Sequence, residues 1–371
     1  MNSFFRLITI VFTVYVVQCR EIARNPKSAK FNEKIIYDCV DIYKQPSLTH
    51  PLLHNHQIQM EPSFLISKQK DQTKTNSGNK KVIECPNGTV PILKNTKKYD
   101  TNAQYRAKKH FNPFTIDSHG THFSGVRASQ DQGPYHGVKA WMSVHELNIS
   151  VDQTSYTNIY VGSAVKDKVN FIQTGWMVNP ALFGDGRPWS FGLWKGVNRT
   201  GCYNTRCPGF IQVSRTDLLS IPLSPLPKGE IGVYLSIEQD KKTGNWWATD
   251  VKYNGHGMHI GYWPKELFDL ISTNANMVGV TGAVQASPSG KSPPMGNGYL
   301  PTKNEMESAR VRDVDIIDSN FNVIGSKKYK LEKILDSDKC YGLRDGRKKS
   351  FDEGTYVLFT YGGPGGDSCG I

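Results

Sequence analysis

The forty residues from Phe171 to Phe210, FIQTGWMVNPALFGDGRPWSFGLWKGVNRTGCYNTRCPGF, leave few folding options open. They hold three of the chain's seven tryptophans, seven glycines and a Cys202-x4-Cys207 pair, and the glycines and prolines recur too often for a helix. The stretch reads as short strands and tight turns that set aromatic rings along a groove, which is how a β protein builds a surface cleft. Neighbouring segments agree with it. TNIYVGSAV (157–165), FIQTGWMV (171–178), FIQVS (210–214), IGVYLSIEQ (231–239), NWWATDVKY (245–253) and YVLFTYGG (356–363) are strand-like. Several alternate apolar and polar residues, as Val233, Leu235 and Ile237 show. Only KELFDLISTNANMVG (265–279) reads as a helix. The expected fold class is mainly β, an antiparallel β sandwich that takes shape from about residue 136.

Residues 1–19, MNSFFRLITIVFTVYVVQC, place Arg6 before an apolar run from Leu7 to Val17, and Arg20-Glu21 ends it. That run is short for a membrane span and reads as a secretory signal cleaved near Cys19. Export makes disulfides the expected state of the six remaining cysteines. Their grouping favours neighbours: Cys39 with Cys85, Cys202 with Cys207, and Cys340 with Cys369. Sequons at Asn87, Asn148 and Asn198 agree with a secreted glycoprotein.

Organisation follows from composition. Residues 34–64 form a compact motif with a short strand before Cys39 and a loop built on Pro46 and Pro51. DQTKTNSGNKK (71–81) is a linker, and VIECPNGTVPIL (82–93) supplies one or two short strands around an Asn87-Gly88 turn. The charged stretch 94–135 contains a boundary. The formal charge of +12 is concentrated ahead of residue 131. Nucleic-acid binding needs a basic surface on the functional domain, so that class is set aside, while attraction of the basic segment to an acidic wall polysaccharide stays open.

Chemistry-bearing patterns are sparse. His54/His56, His119/His122 and His256/His259 lack the helical spacing and following glutamate of a zinc peptidase, so no metal or cofactor is expected. There is no G-x-S-x-G elbow for a serine nucleophile. Cys202 and Cys207 read as a loop staple and not as a thiol nucleophile. Trp176, Trp189, Trp194, Trp246, Trp247 and Trp263 have the composition of a core, with Trp176, Trp189, Trp194, Tyr203 and Trp263 as candidates for a cleft lining.

Longer strings carry a resemblance. DCVDIYKQPSLTHPLLHNHQIQMEPS and ECPNGTVPI are followed in order by QTGWMVNPALFGD (173–185), TGCYNTRCPGFIQ (200–212), GNWWATD (244–250), GYWPKELF (261–268), MGNGYLP (295–301) and GGPGGDSC (362–369). Together they resemble the neprosin family, secreted plant prolyl endopeptidases of the glutamic type, over roughly residues 30–371. The resemblance implies a signal peptide (1–19), a small mixed activation propeptide (20–130) and a β-sandwich peptidase-type domain (131–371). It also implies two catalytic glutamates. Paired carboxylates split their pKa values, so one can deprotonate water while the other donates a proton. At the position of the first glutamate, two residues before Gly175-Trp176, this chain has Gln173. At the second, in Val280-Thr281-Gly282-Ala283-Val284, it has Ala283. A related glutamic-peptidase fold does use a glutamine beside a glutamate, but alanine can neither donate nor accept a proton. Glu230, Glu238 and Asp185 lie in the right domain to substitute, yet nothing in the sequence places them opposite Gln173, and they read as solvated strand or loop residues.

Three functions stay open at this point. The first is a pseudo-peptidase that binds proline-rich peptide or wall protein, the second a proline-directed endopeptidase with substituted machinery, and the third a carbohydrate-binding wall module. No membrane partner is expected after signal removal.

Overall fold

Apolar and β-branched runs become strands throughout the second part of the chain. The computed structural model describes residues 29–30, 36–64, 83–94, 120–205, 207–223, 232–251, 257–346, 356–367 and 369. The expected signal with Cys19, the linker at 71–81 and most of the 94–135 boundary lie outside the described residues, as do Glu230, His119 and His256.

Strands β1 (Ala29–Lys30), β2 (Ile36–Asp41) and β3 (Thr89–Leu93) form a small antiparallel sheet. The rest follow in chain order as β4 (Thr121–Ala128), β5 (Gly137–Ser143), β6 (Thr154–Val165), β7 (Lys168–Val178), β8 (Pro188–Lys195), β9 (Gly201–Tyr203) and β10 (Ile211–Gln212). Then come β11 (Gly232–Gln239), β12 (Trp246–Val251), β13 (Gly257–Trp263), β14 (Met277–Gln285), β15 (Ala309–Ile317), β16 (Val323–Gly325), β17 (Leu331–Leu335), β18 (Gly342–Asp345) and β19 (Val357–Gly362). One sheet has seven described strands, ordered β17-β4-β14-β6-β7-β8-β9. The other has nine, ordered β10-β13-β12-β11-β5-β15-β19-β18, with β16 paired to β15. The two stack face to face as an antiparallel sandwich. Inner-face side chains such as Val138, Met142, Ile159, Trp176, Trp246, Val280 and Phe359 fill the space between them.

Three disulfides are formed: Cys39–Cys85, Cys202–Cys207 and Cys340–Cys369. Among the described residues no helix is long and apolar enough to cross a membrane.

Two elements differ from the sequence reading. Residues 265–279 are not a helix. A single 3-10 turn (Lys265–Leu267) follows Pro264, and the chain then runs irregularly into β14. The helical spacing of Leu267, Phe268 and Ile271 arises because each side chain is buried in the core from an irregular segment. The sandwich also begins earlier than expected, since β4 pairs with β14 and β17. His122, Ser124, Gly125 and Arg127 dilute the apolar pattern of that strand and hide it from a periodicity argument.

The N-terminal segment is docked on the sandwich by directed bonds. Gln45 uses its side-chain amide as a strand would, donating to Gln212 O (3.1 Å) and accepting from Gln212 N (2.8 Å), which caps the exposed edge at β10. Leu48, Ile58 and Phe64 pack on the cross-strand row Ile211, Tyr262 and Trp247. The Tyr262 hydroxyl accepts Gln59 N–H at 2.8 Å and lies 2.9 Å from His56 Nε2, while His56 Nδ1 faces Glu266 at 3.5 Å. Asp240 collects bonds from Ser63 N and Oγ, Gln59 Nε2, Lys242 N and Thr243 N. Burial alone would raise the Asp240 carboxyl, but these donors together outweigh it and hold the group below its usual range. The His56 hydrogen bond holds Glu266 low in the same way.

The sign of the pH effect follows. A depressed carboxyl pKa contributes stability that is present above its unfolded value and is lost as pH falls through its folded value. Docking is therefore full at neutral pH and weakens below roughly pH 4. Trp247, which underlies Ile58 and Phe64, should shift its emission to the red between about pH 5 and pH 3. Asp240→Asn should weaken the docking by about 1–3 kcal/mol at pH 7 and flatten that transition. An acid transition identical in the variant would show that Asp240 does not control it.

Candidate functional site

Residues paired across strands share a face, and alternate residues along a strand share one too. Thr157, Trp176 and Gly282 are in register across β6, β7 and β14. Their face is fixed by Tyr361 of β19, whose hydroxyl lies 2.6 Å from Thr157 Oγ1. The Tyr361 ring also occupies the space that a Cβ on Gly282 would need, 2.4 Å away. That face looks toward the nine-stranded sheet. Asn158, Gln173 and Ala283 consequently lie on the opposite face.

Three cross-strand rows describe that face. The first runs Gln173, Tyr160, Gly279, Arg127, Glu332; the second Gly175, Asn158, Thr281, Gly125; the third Met177, Tyr156, Ala283, Phe123. Gln173 and Ala283 thus sit at opposite corners, two strands and four residues apart. On an untwisted sheet this separates their Cα atoms by roughly 16 Å. Two glutamates at these positions would reach toward each other across Asn158 and span a bound water or peptide, which is a wider arrangement than directly touching carboxyls. Gln173 is 1% exposed and Ala283 fully buried.

The sequence reading missed three members of this face: Tyr160, Asn158 and Glu332. Tyr160 leans over Gly279, where a Cβ would stand 2.4 Å from its hydroxyl. Burial pushes both Tyr156 and Tyr160 phenols upward, so they stay neutral donors. Glu332 does place a carboxylate in the Gln173 row, yet it lies four strands away and accepts a 2.8 Å bond from Arg127 Nε. No periodicity could reveal these residues, because only strand register brings them together.

The substitutes proposed from sequence lie elsewhere. Glu238 is on the outer face of the nine-stranded sheet in register with Trp247, and burial pushes its carboxyl up to about 7, opposed by Lys139. Asp185 is held by Arg187 and by Trp189 Nε1, and these bonds outweigh the upward push of burial and lower its pKa. His122 pairs with Asp336 at 2.9 Å in the interior, and His259 lies 3.0 Å from Thr249 Oγ1. Among the described residues no group of three or more His, Cys, Asp and Glu side chains could hold a metal.

The expected aromatic groove needs correction. Trp176 and Trp194 lie on the face of the seven-stranded sheet that looks into the core, and Trp263 of the other sheet enters the same core, beside Gly192 and against Phe210 at 4.7 Å. Trp189 and Tyr203 belong to the Gln173 face, yet each is nearly fully buried, with Trp189 stacked on Phe183 at 4.7 Å. Alternation along the strands divides the five candidates between two faces. Asn87, Asn148 and Asn198, by contrast, are all exposed on turns or loops.

Among solved structures, scytalido-glutamic peptidase bound to a peptide-based transition-state analogue is 9% identical, covers 66% of this chain and 98% of its own, and has a TM-score of 0.35. SCP-B, an Eqolisin-family peptidase in complex with the tripeptide Ala-Ile-His, is 10% identical over 66% and 98%, with a TM-score of 0.33. Likenesses this distant carry no argument about the site. Family profiles are decisive: one described as Neprosin activation peptide matches residues 30–127, and one described as Neprosin matches residues 151–364. This chain belongs to the neprosin family.

Proposed function

We propose that the protein is a secreted neprosin-like pseudo-peptidase, catalytically impaired or inactive, that binds proline-rich peptide or wall protein. One observation carries the proposal. Where the family's two glutamates would stand, the face bears an amide and a methyl group, and among the described residues the three rows between these corners hold no other carboxylate but Glu332, which is paired with Arg127 four strands from Gln173. General acid–base catalysis contributes about 10²–10⁴-fold in rate, and neither partner is present. The frame around the corners is nevertheless kept. Gly282 stays under Tyr361, Gly279 under Tyr160, and the Cys202–Cys207 staple holds the turn beyond β9.

The division proposed for the chain is a signal (1–19), a propeptide (20–130) whose last strand, β4, joins the sandwich, and a peptidase-type domain (131–371), with export supported by three disulfides. A carbohydrate-binding reading has less support. All seven tryptophans are at most 3% exposed, so none offers a ring for a sugar to stack on. Of the substitutes an active peptidase could use, Glu238 lies on the outer face of the other sheet and Asp185 is engaged by Arg187 and by Trp189 Nε1.

The deciding experiment restores Gln173→Glu and Ala283→Glu together and assays a proline-containing fluorogenic peptide between roughly pH 2 and pH 6. The native chain should show no turnover, and activity should appear only in the double variant. Turnover by the native chain above an inert-mutant control would remove the pseudo-peptidase reading. A second expectation concerns maturation. The native chain should not cut itself on acid treatment, so mass analysis should find the segment from about 20 to 130 still attached, whereas self-release would contradict the proposal.

A further inference from the structure

Between β5 and β6 the chain runs irregularly through the sequon Asn148-Ile149-Ser150. Asn148 and Ser150 are exposed there, and both line a cleft of about 270 Å³. Asn87 and Asn198 are not part of that lining. The walls of the cleft are fixed by hydrogen bonds. Gln153 Oε1 accepts Ser150 N–H at 3.0 Å and its Nε2 donates to Lys291 O at 2.8 Å, which joins the sequon loop to the segment opposite. That segment is held in turn. Ser292 and Gly366 exchange two backbone bonds of 2.9 Å, and the Tyr341 hydroxyl donates to Pro293 O at 2.8 Å.

The lining points to one kind of occupant. Ile149, Pro293, Pro294 and Pro364 give the cleft apolar sides, and Lys291 is exposed at its edge. A pyranose suits such a site, because its C–H face packs on aliphatic rings while its oxygens accept from the three N–H donors of an ammonium. The volume falls just below the roughly 300–1,000 Å³ of ordinary small-molecule sites, which is room for one sugar ring and not for an oligosaccharide. No aromatic ring lines the cleft, so a free monosaccharide would be held weakly. A sugar joined to Asn148 has no such handicap. A short tether sets its effective concentration in the millimolar range, so contacts equivalent to a Kd of about 1 mM keep the cleft filled most of the time.

We propose that Asn148 carries an N-linked glycan whose first N-acetylglucosamine is seated in this cleft, with Lys291 donating to its oxygens and the prolines under its ring. The inference rests on the export reading above. Glycan transfer forms a bond from Asn148 Nδ2 to sugar C1 while the bond from C1 to a lipid pyrophosphate donor breaks. Nδ2 gives up one proton, and the pyrophosphate leaves with the electron pair. The seated sugar covers Lys291 and braces the sequon loop against Pro364 and Gly366, close to the Cys340–Cys369 bridge.

The full chain is secreted from a eukaryotic host, and each sequon is analysed by glycopeptide mass spectrometry. Acetylation of Lys291 by limiting reagent is then followed in the glycosylated protein, in protein trimmed by an endoglycosidase to a single N-acetylglucosamine, and in an Asn148→Gln variant. A glycoamidase acting on the folded protein supplies the unglycosylated state by a second route if the variant is not secreted. Asn148 should be occupied, and Lys291 should react about threefold or more slowly in the first two forms than in the unglycosylated one. An Asn87→Gln, Asn198→Gln double variant should keep the full protection. Secreted protein without a glycan at Asn148 would overturn the assignment and leave export standing. Equal reactivity of Lys291 in the trimmed and unglycosylated forms would also overturn it, by showing that the sugar points to solvent. A native chain that stays inside the cell would remove the export reading and this inference with it.

Discussion

Both faces of the seven-stranded sheet are buried, and much else in the molecule depends on that. β6 is buried without interruption from Thr154 to Ser163, and β7 from Asn170 to Val178. A polar side chain in such a run has no access to water and must be satisfied within the sheet or by what packs on it. Thr157 reaches Tyr361, Thr174 donates to Phe191 O at 2.8 Å, and Asn158 accepts from Thr281. Thr157 thereby ties one sheet to the other, while Thr174 ties β7 to β8 within its own sheet. On the far face Thr281 ties β14 to Asn158 of the neighbouring β6 within the same sheet, so that bond does not hold the two sheets together. Gln173 and Ala283 share that far face.

Much of the sandwich was legible in the sequence because strand signals are local. β6, β7, β10, β11, β12 and β19 coincide with apolar or alternating runs bounded by turn residues. The family strings were legible for a different reason: glycines such as Gly282 and Gly192 sit where a side chain would strike Tyr361 or Leu219, so their positions are dictated by packing. What escaped was non-local. The Lys265–Leu267 turn carries helix-like spacing because its apolar residues plug the core individually. The division of Trp176, Trp194 and Trp263 from Trp189 and Tyr203 depends on strand parity and sheet order. Asn158, placed between the two corners by register across three strands, is invisible until those strands are paired.

The N-terminal segment shows how a sandwich with open edges can be finished by a separate piece of chain. Gln45 hydrogen-bonds to β10 as an added strand would, while Asp240 and Tyr262 act as acceptors and donors for residues 56–63. Apolar contact supplies area, with Leu48, Ile58 and Phe64 over Trp247 and Tyr262. The directed bonds supply register and charge sensitivity. This division of labour makes the docked state specific at neutral pH and confines its dependence on acidity to a few carboxylates.

The Cys39–Cys85 bridge gives that arrangement a topological property. It closes a loop that contains residues 65–82, and both sides of the loop hold the sandwich independently. On one side are Gln45 and Gln59; on the other, Cys85 N donates to Arg215 O at 3.1 Å and Arg215 Nη1 donates to Cys85 O at 2.8 Å. A peptide bond broken inside the loop would leave two fragments joined through sulfur and still seated on the same surfaces. The molecule would have lost a covalent connection without uncovering anything. Release of the segment therefore requires a cut outside the disulfide-closed loop, downstream of Cys85.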